Sequence, residues 1–382
     1  EVDYSPYQDH LEYLTEINQY AKDHNLEEFI CIETTRGCPY KCVFCEWGGG
    51  IGGKVYKKDI DIVKRDIDAM IKAGFSSAYL TDANFGAFLK RDIEIFQYAW
   101  QKNFNLTDIS TMKSKSLKRR VELIDAWFDT VGQTDLKSDS IVPTVSIQSI
   151  SDKAMEIAKR VDLSLEDKLL LSRHINTRCR EEGFPVPALE LILAMPGSTI
   201  NDFYDEMEII WNFQAWGSYR HDYMFLPDST LNSNEYKEEH SIETVEVYSD
   251  VVDEDGADNI NGLYQGRKSH FRTIRSCFSF TSDEMMEMWF MNNAANYLLL
   301  HFYSDVQYMM TPGEFAKACY QSISNLEEFE PLRQEIIDIF NPETPPRSIR
   351  QLQGRFRVEV IEEFLEQNMF WIKNEVINEC LT

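Results

Sequence analysis

The chain has no long apolar segment and no leader pattern. None of its apolar runs reaches the length of about 18 residues that a membrane-spanning helix needs. Its start, Glu1-Val2-Asp3-Tyr4, does not show the basic and then apolar pattern of a signal peptide. We therefore expect a cytoplasmic protein that does not associate with a membrane.

Positive charge is also scarce. The 382 residues include 64 acidic and 38 basic side chains, which gives a formal net charge of −26. A polyanion is repelled by such a chain unless the basic residues gather on one face, and the sequence shows only a short basic stretch at 113–120. RNA and DNA are therefore not expected as partners.

The eight cysteines are too few for a disulfide framework in a chain of this length. Three of them fall in one short segment, at Cys38, Cys42 and Cys45. The other five are scattered, and we interpret them as small buried apolar residues: Cys31, Cys179, Cys277, Cys319 and Cys380. The grouped cysteines indicate a metal in a reducing compartment.

From about residue 29 to residue 227, short β-branched or apolar runs alternate with longer runs of helical period, a pattern typical of βαβ units. The predicted strands are Phe29–Glu33, Ala78–Asp82, Asp108–Met112, Val142–Gln148, Ala188–Ala194 and Tyr219–Leu226. The predicted helices are Asp59–Ala73, Arg91–Lys102, Leu117–Val131, Ser151–Arg160 with Ser164–Glu182, and Thr199–Ala215.

Six such units predict an α/β fold, a partial (β/α)6 barrel of the TIM type, because right-handed crossovers curl a parallel sheet. A mainly helical C-terminal region should follow, with helix starts at Thr281 and at Thr311-Pro312 and a last helix over Val358–Leu381. We expect a lead-in segment at 1–28, the barrel at 29–230 and the helical region, covering the substrate side, at 231–382.

The three grouped cysteines directly follow the first predicted strand, at the carboxyl end where such folds place their chemistry. Three thiolates on one loop can bind three irons of a 4Fe–4S cluster, which leaves the fourth iron open to another ligand. A structural zinc site that borrows a fourth ligand is the alternative, although no second Cys-x2-Cys pair is present. A third reading treats the cysteines as bystanders.

The Cys-x3-Cys-x2-Cys loop, with the aromatic Phe44 before its third cysteine, resembles the signature of radical S-adenosylmethionine (SAM) enzymes. In that family, SAM binds the open iron. Transfer of an electron then cleaves SAM to a 5′-deoxyadenosyl radical, which abstracts hydrogen from the substrate. The resemblance implies Cys38, Cys42 and Cys45 as cluster ligands. It also implies an electron donor such as flavodoxin or ferredoxin as a partner.

Several polar groups fall where the resemblance implies SAM contacts. Asp82 and Asn84 resemble a variant of the family's Gly-Gly-Glu motif, although Asp-x-Asn after a strand is also an ordinary turn. Phe44 is expected against the adenine. Glu190 interrupts an apolar strand, and a structural ion pair is the competing explanation for it.

Further candidates lie on later strands. Ser146 and Gln148 suit ribose hydroxyls, and Arg160 suits a carboxylate, whereas a purely structural reading makes them strand-end and solvent-exposed groups. Tyr223 and Phe225 can flank the adenine or belong to the core.

Less specific phrases, Ser5-Pro6-Tyr7 among them, resemble the branch of the family in which a cobalamin-binding domain precedes the barrel. About 28 residues are too few for that domain, and the chain does not begin with Met, so we expect the numbering to start inside a longer polypeptide. With cobalamin, methyl transfer to carbon is expected. Without it, epimerisation, crosslinking or rearrangement of a peptide or small metabolite is expected.

Two further hypotheses complete the reading of the sequence. Cys277 is a candidate hydrogen donor to a substrate radical, and a buried structural cysteine is its alternative. From another class, an iron–sulfur or zinc protein with a structural or electron-transfer role needs no SAM pocket.

Overall fold

The computed structural model describes most of the chain, with gaps. The described residues are 4–26, 30–47, 53–107, 114–132, 134, 141–213, 219–250, 268–345, 347–348 and 360–381. They form two compact units. The first comprises Glu1–Cys42, Trp47–Val145 and Val161–Ala188, and the second comprises Val43–Glu46, Ser146–Arg160 and Leu189–Thr382.

Helices and strands alternate along most of this length. The α-helices in chain order are α1 Pro6–Asp9, α2 Leu11–Asp23, α3 Ile60–Lys72, α4 Leu89–Gln101, α5 Leu117–Val131, α6 Asp152–Ile157, α7 Leu165–Glu182, α8 Ile200–Phe213, α9 Asn234–Glu239, α10 Ser282–Leu298, α11 Ser304–Val306, α12 Pro312–Ser324, α13 Glu330–Phe340 and α14 Glu363–Leu381. The strands are β1 Cys31–Ile32, β2 Thr35–Arg36, β3 Tyr56–Lys57, β4 Ser77–Leu80, β5 Asn105–Thr107, β6 Ser146–Gln148, β7 Glu190–Leu193, β8 Tyr219–Asp222, β9 Glu243–Asp250, β10 Lys268–Ser276 and β11 Arg347–Ser348.

The first unit contains a parallel sheet in the order β1-β4-β5. Helix α3 leads into this sheet and illustrates how the sequence encodes its elements. The Asp59 side chain accepts a hydrogen bond from the Asp61 amide and caps the helix, and Val63, Ile67 and Met70 line its buried face. The helices α3, α4, α5 and α7 then pack against one another in that order.

The second unit contains a parallel sheet in the order β6-β7-β8 and a separate sheet in the order β10-β9-β11. β9 and β10 are antiparallel. The helices of this unit pack through α8, α10 and α12, and both α10 and α12 begin at a threonine capping box, at Thr281 and Thr311.

The mixed helix and strand content confirms an α/β fold at this level. Of the six helices predicted between residues 59 and 215, α5 has the predicted bounds, and the other five begin and end within three residues of them. The predicted strand Asp108–Met112 falls outside the described residues, while the structure has β5 directly before it. The described parallel strands form two three-stranded sheets, and closure into a partial barrel stays a prediction, as do the three predicted domain bounds.

Two features were not anticipated. Segment 1–28 was expected only to connect to the barrel, but it contains α1 and α2, which pack on α3. The C-terminal region, expected to be mainly helical, also contains the long antiparallel pair of β9 and β10. In β9, Val245 and Val247 are buried and Glu246 is exposed, which is the alternation of a strand with one exposed face, and the prediction missed it.

No helix in the described ranges is both long and apolar enough to cross a membrane.

Candidate functional site

The cysteine loop is divided between the two units. Cys38 and Cys42 belong to the first unit and are buried, with 4% and 7% of their surfaces exposed, whereas Cys45 belongs to the second and is half-buried. No cysteine in the described part of the chain forms a disulfide. Within the same described residues, no group of three or more His, Cys, Asp or Glu side chains is arranged to hold a metal ion. The assignment of the three cysteines to a cluster stays a prediction.

In the first unit, Asp82 is bound to the backbone that leads into this loop. Its Oδ1 accepts hydrogen bonds from the amides of Thr34 at 2.6 Å and Thr35 at 3.0 Å, and its Oδ2 accepts one from the Thr34 hydroxyl at 2.6 Å. The carboxylate is 3% exposed. Burial raises its pKa, and the bonds from Thr34 and Thr35 oppose that rise because they stabilise the charged form.

Arg91 of α4 also forms hydrogen bonds with Thr34 and Thr35. Its Nη2 donates to the carbonyl oxygens of Thr34 at 2.9 Å and Lys58 at 2.7 Å. Its Nη1 donates to Oδ1 of Asp92 at 2.7 Å and to the Thr35 hydroxyl at 3.3 Å. The guanidinium group therefore ties β2 and the residue after β3 to the start of α4.

Asp92 extends these contacts to the segment that follows β4. Its Oδ2 accepts from the amides of Gly86 at 2.9 Å and Phe88 at 3.0 Å. The Asp92 side chain is 1% exposed, and burial raises its pKa while the Phe88 amide and the Arg91 charge lower it. Asn84 lies in this segment and is buried, next to the fully buried Phe85.

The sequence did not predict these contacts of Arg91 and Asp92. Both residues lie in the first turn of a helix whose pattern is ordinary, and Arg91 is 57 positions from Thr34. The one signal available was the pair of Asp and Asn residues directly after β4, which indicated a polar segment but not its partners.

In the second unit, Ser146 of β6 and Glu190 of β7 are opposite each other in the parallel register, and the serine hydroxyl donates to Oε2 of Glu190. Both side chains are half-buried. A carboxylate can accept several hydrogen bonds, so the serine leaves capacity for a donor on a ligand.

The neighbouring strands β6 and β7 both end in strained backbone. Gln148 has φ 70° and Ala194 has φ 58°, which are left-handed backbone conformations that residues other than glycine rarely adopt. Gln148 is also 7% exposed, although its side chain is polar. Strain of this kind is concentrated at functional sites, and Gln148 is one of the predicted SAM contacts, while Ala194 directly follows the strand that carries another, Glu190.

The segment Val43–Glu46, which carries Phe44 and Cys45, is anchored within the second unit. The Val43 amide donates to the carbonyl of Ala158 at 3.0 Å, and the Val43 carbonyl accepts from the Leu231 amide at 3.0 Å. Glu46 Oε1 accepts from the Asp228 amide at 3.0 Å. Ala158 follows α6, so this anchoring holds Phe44 and Cys45 beside the turn that leads to Arg160.

Two buried tyrosines, Tyr223 and Tyr236, lie near the half-buried Cys277 in the second unit. Tyr223 is 1% exposed and Tyr236 is 6% exposed, and their hydroxyl groups lie near enough to each other to affect each other's pKa. Burial raises the pKa of both, that of Tyr236 to about 12, and the nearby Cys277 contributes in the same direction. The Cys277 Sγ lies 3.2 Å from the Ser279 hydroxyl.

A separate cavity of about 420 Å³ lies in the second unit. Tyr236, His240 and Phe278 form its aromatic side, and Lys153 and Lys159 are among its charged residues. None of the predicted SAM contacts lines it.

No protein-family model matches the chain. Among solved structures, the methyltransferase TsrM from Kitasatospora setae with cobalamin and a [4Fe–4S] cluster is 13% identical, has a TM-score of 0.49 and covers 81% of this chain and 60% of its own. The cobalamin-dependent radical enzyme OxsB is 11% identical, with a TM-score of 0.46, over 96% and 55% of the two chains. These scores are too low to support an argument about function.

Curated relatives give a clearer result. The cobalamin-dependent radical SAM methyltransferase TokK from Streptomyces tokunonensis is 26% identical over 230 residues, which cover 59% of this chain and 32% of that protein. The 2-(S-pantetheinyl)-carbapenam-3-carboxylate methyltransferase from Streptantibioticus cattleyicolor is 25% identical over 231 residues, with the same shares. The hopanoid C-2 methylase from Rhodopseudomonas palustris is 24% identical over 194 residues, which cover 45% of this chain and 37% of that protein.

The chain spans about a third of the length of these relatives. Its sequence resembles radical SAM methyltransferases of the cobalamin-dependent branch.

Proposed function

We propose that the chain is the catalytic core of a cobalamin-dependent radical SAM methyltransferase that methylates carbon in a small molecule. The observation that carries the proposal is the similarity to a curated enzyme of that activity over 59% of the chain. The names of two relatives state small-molecule acceptors, a carbapenam carboxylate and a hopanoid, which favours a small acceptor over a macromolecule. The net charge of −26 argues further against a nucleic acid.

The thiol groups fit an iron–sulfur cluster. Cysteine thiolate is the usual ligand of such clusters, and Cys38, Cys42 and Cys45 are not consumed by disulfides. The burial of Cys38 and Cys42 would shield a cluster from water on that side. When bound, the cluster would supply the electron that cleaves SAM, and cobalamin would carry the methyl group.

The protein's own residues would hold and orient SAM. We assign Glu190, supported by Ser146, to the cationic or hydroxyl groups of SAM, and Arg160 to its carboxylate, because opposite charges suit these partners. Gln148 would contribute its amide from the strained end of β6. The anchored segment Val43–Glu46 would hold Phe44 against the adenine.

Tyr223, Asn84 and Cys277 have less specific roles in the proposal. Tyr223 is almost fully buried, so it would support the SAM site from the core without lining it, and Asn84 would offer its amide to SAM. In the alternative reaction without cobalamin, Cys277, which is half-buried and near Tyr223 and Tyr236, would serve as the hydrogen donor that quenches the substrate radical. Cys277→Ala should then retain SAM cleavage but change the product.

Anaerobic reconstitution tests the proposal. The wild-type chain should bind about four irons and four sulfides, and should form 5′-deoxyadenosine when SAM and dithionite are added. A variant with Cys38, Cys42 and Cys45 all changed to Ala should lose the iron and the visible absorbance. A Cys179→Ala variant is the matched control, because Cys179 is a fully buried core residue; it should keep the iron.

Three outcomes would contradict the proposal in different ways. Iron retained in the triple variant would overturn the ligand assignment. Stoichiometric zinc without iron would support the structural reading. Formation of 5′-deoxyadenosine by the full protein without any methyl transfer would support a radical SAM reaction that does not need cobalamin.

A further inference from the structure

Three buried charges surround Thr34 and Thr35, and we call them the Arg91 network: Asp82, Arg91 and Asp92. All three lie in the first unit, together with the backbone that they bind. The Arg91 and Asp92 side chains are 13% and 1% exposed, and Asp82 is 3% exposed. Charges are costly to bury, so a set of three near the cysteine loop requires an explanation.

The bonds of this network converge on two residues. The amides of Thr34 and Thr35 donate to Asp82, the carbonyl of Thr34 accepts from Arg91, and both threonine hydroxyls are also engaged. The first residue of the grouped cysteines, Cys38, follows Thr35 by three positions, with Gly37 between them in a left-handed conformation at φ 88°. The network therefore fixes the backbone from which the cysteine loop departs.

The other end of the network reaches the segment after β4. Asp82 is the second residue after β4, and Asp92 accepts hydrogen bonds from the amides of Gly86 and Phe88 in the same segment. The Arg91–Asp92 bond of 2.7 Å links this segment to Thr34 and Thr35 through a single guanidinium group. Without the guanidinium group, Thr34 and Thr35 would keep their bonds to Asp82, and Gly86 and Phe88 their bonds to Asp92, but the link from Thr34 and Thr35 to Asp92 would be lost.

We propose that Arg91, acting with Asp82 and Asp92, is a positioning residue that holds the start of the cysteine loop at a fixed position relative to the segment after β4. It would thereby set where Cys38 and Cys42 are placed to bind the iron to which SAM binds. This inference rests on the function proposed above. It gives Asp82 a task that does not require direct contact with SAM. Outer groups that orient metal ligands usually change metal affinity or activity about 10- to 100-fold when removed.

Arg91→Met tests the inference because methionine fills similar space without charge or donors. The matched control is Arg119→Met, since Arg119 is exposed and donates to Ala87 in the same segment at 3.1 Å without binding Thr34 or Thr35. Arg91→Met should lower iron retention or SAM affinity about tenfold or more, and should alter the change that SAM causes in the electron paramagnetic resonance spectrum of the reduced cluster. Arg119→Met should match the wild type.

A partial rescue separates positioning from general stability. Arg91→Lys keeps the charge and can still donate to a carbonyl, but it lacks the planar fork that reaches four acceptors. It should recover part of the SAM affinity. If Arg91→Met does not fold, Thr34→Val provides a milder test, because it removes only the hydroxyl bond to Asp82 and keeps the branched shape.

Amide hydrogen exchange adds a measurement that needs no cluster. In the apo protein, peptides containing Thr34 and Thr35 should exchange faster in Arg91→Met than in Arg119→Met. If the iron-loaded Arg91→Met protein shows wild-type spectra and SAM affinity, the positioning role is overturned, even where its thermal stability is lower. If the wild type itself binds neither iron nor SAM, the proposed function is at fault instead.

Discussion

At the scale of single residues, Glu190 shows how a polar side chain is placed within an apolar strand, and its contact with SAM stays a prediction. An acidic residue inside an apolar strand needs a partner, and the structure provides the Ser146 hydroxyl on the adjacent strand. One neutral hydroxyl does not neutralise the carboxylate, so its negative charge remains available to a cationic ligand. An internal ion pair was the competing explanation, and the described contact of Glu190 is with a serine instead.

Glu190→Gln should therefore weaken SAM binding. Removing a hydrogen bond to a charged group costs about 1.5–3 kcal/mol, which corresponds to roughly a tenfold or greater rise in the dissociation constant. Isothermal titration calorimetry of the reconstituted protein measures it. Glu208→Gln, which changes an exposed glutamate on α8, is the control and should leave the affinity unchanged. If both Glu190→Gln and Arg160→Ala bound SAM as the wild type does, the SAM pocket would have to lie elsewhere.

At the scale of elements, the close approach between α6 and the segment after β7 depends on a glycine. Gly197 has φ 96°, and a Cβ built on it would lie 2.9 Å from Ile157 Cδ1 and 3.0 Å from the Ala154 nitrogen. Its carbonyl accepts a hydrogen bond from the Ser151 hydroxyl at 3.0 Å. The contact keeps the helix that precedes Arg160 against the end of β7, where Ala194 is strained.

Gly197→Ala should destabilise the protein by more than backbone strain alone. Gly183 is the matched comparison, because its φ of 75° is also left-handed but no atom lies within 4 Å of an added Cβ. Gly183→Ala should cost about 1–2 kcal/mol. Gly197→Ala should cost about 1–3 kcal/mol more, since the packed helix must move. Urea unfolding measures both, and equal losses would show that the close contact does not contribute.

At the scale of the whole molecule, charge dominates. The net charge of −26 makes the folded chain repel itself, and several carboxyl groups are buried in addition. Burial raises the pKa of Asp66, Asp82 and Asp92. It also raises that of Glu287, whose Oε1 accepts a 2.5 Å hydrogen bond from Tyr204 that opposes the rise.

These shifts predict that stability increases as the pH falls from neutral towards about 4, the ordinary pKa of a carboxyl group. A carboxyl group whose pKa is higher in the folded state binds its proton more readily there than in the unfolded chain. Its contribution is complete below the unfolded pKa, and it is lost as the pH rises through the folded pKa. Thermal unfolding across this range measures the effect.

Glu287→Gln should flatten part of that pH dependence, because the half-buried carboxyl group with its raised pKa is gone. Glu335→Gln, on the exposed side of α13, removes the same formal charge without removing a buried group and is the control. The pH dependence of both variants should be measured at an ionic strength of about 0.15 M. The Debye length is then about 8 Å, and salt screens the repulsion between surface charges. Equal pH profiles for the two variants would show that burial of Glu287 has no effect on stability.

The sequence alone was sufficient to predict the features that depend on neighbours along the chain. Helix α5 has its expected bounds, and Thr281 and Thr311 start helices as predicted, because a side-chain cap and its amide lie three residues apart. The grouped cysteines and the polar residues after β4 were recognisable for the same reason: their spacing within one segment carries the information.

Only the tertiary structure revealed the partners of those residues. The bonds from Arg91 to Thr34, from Thr34 to Asp82 and from Ser146 to Glu190 join positions 44 to 57 residues apart. The approach of Gly197 to Ala154 spans 43 positions. Which strands lie side by side, and which amides a buried carboxylate accepts, follow from packing between distant segments, and no local period or cap encodes that pairing.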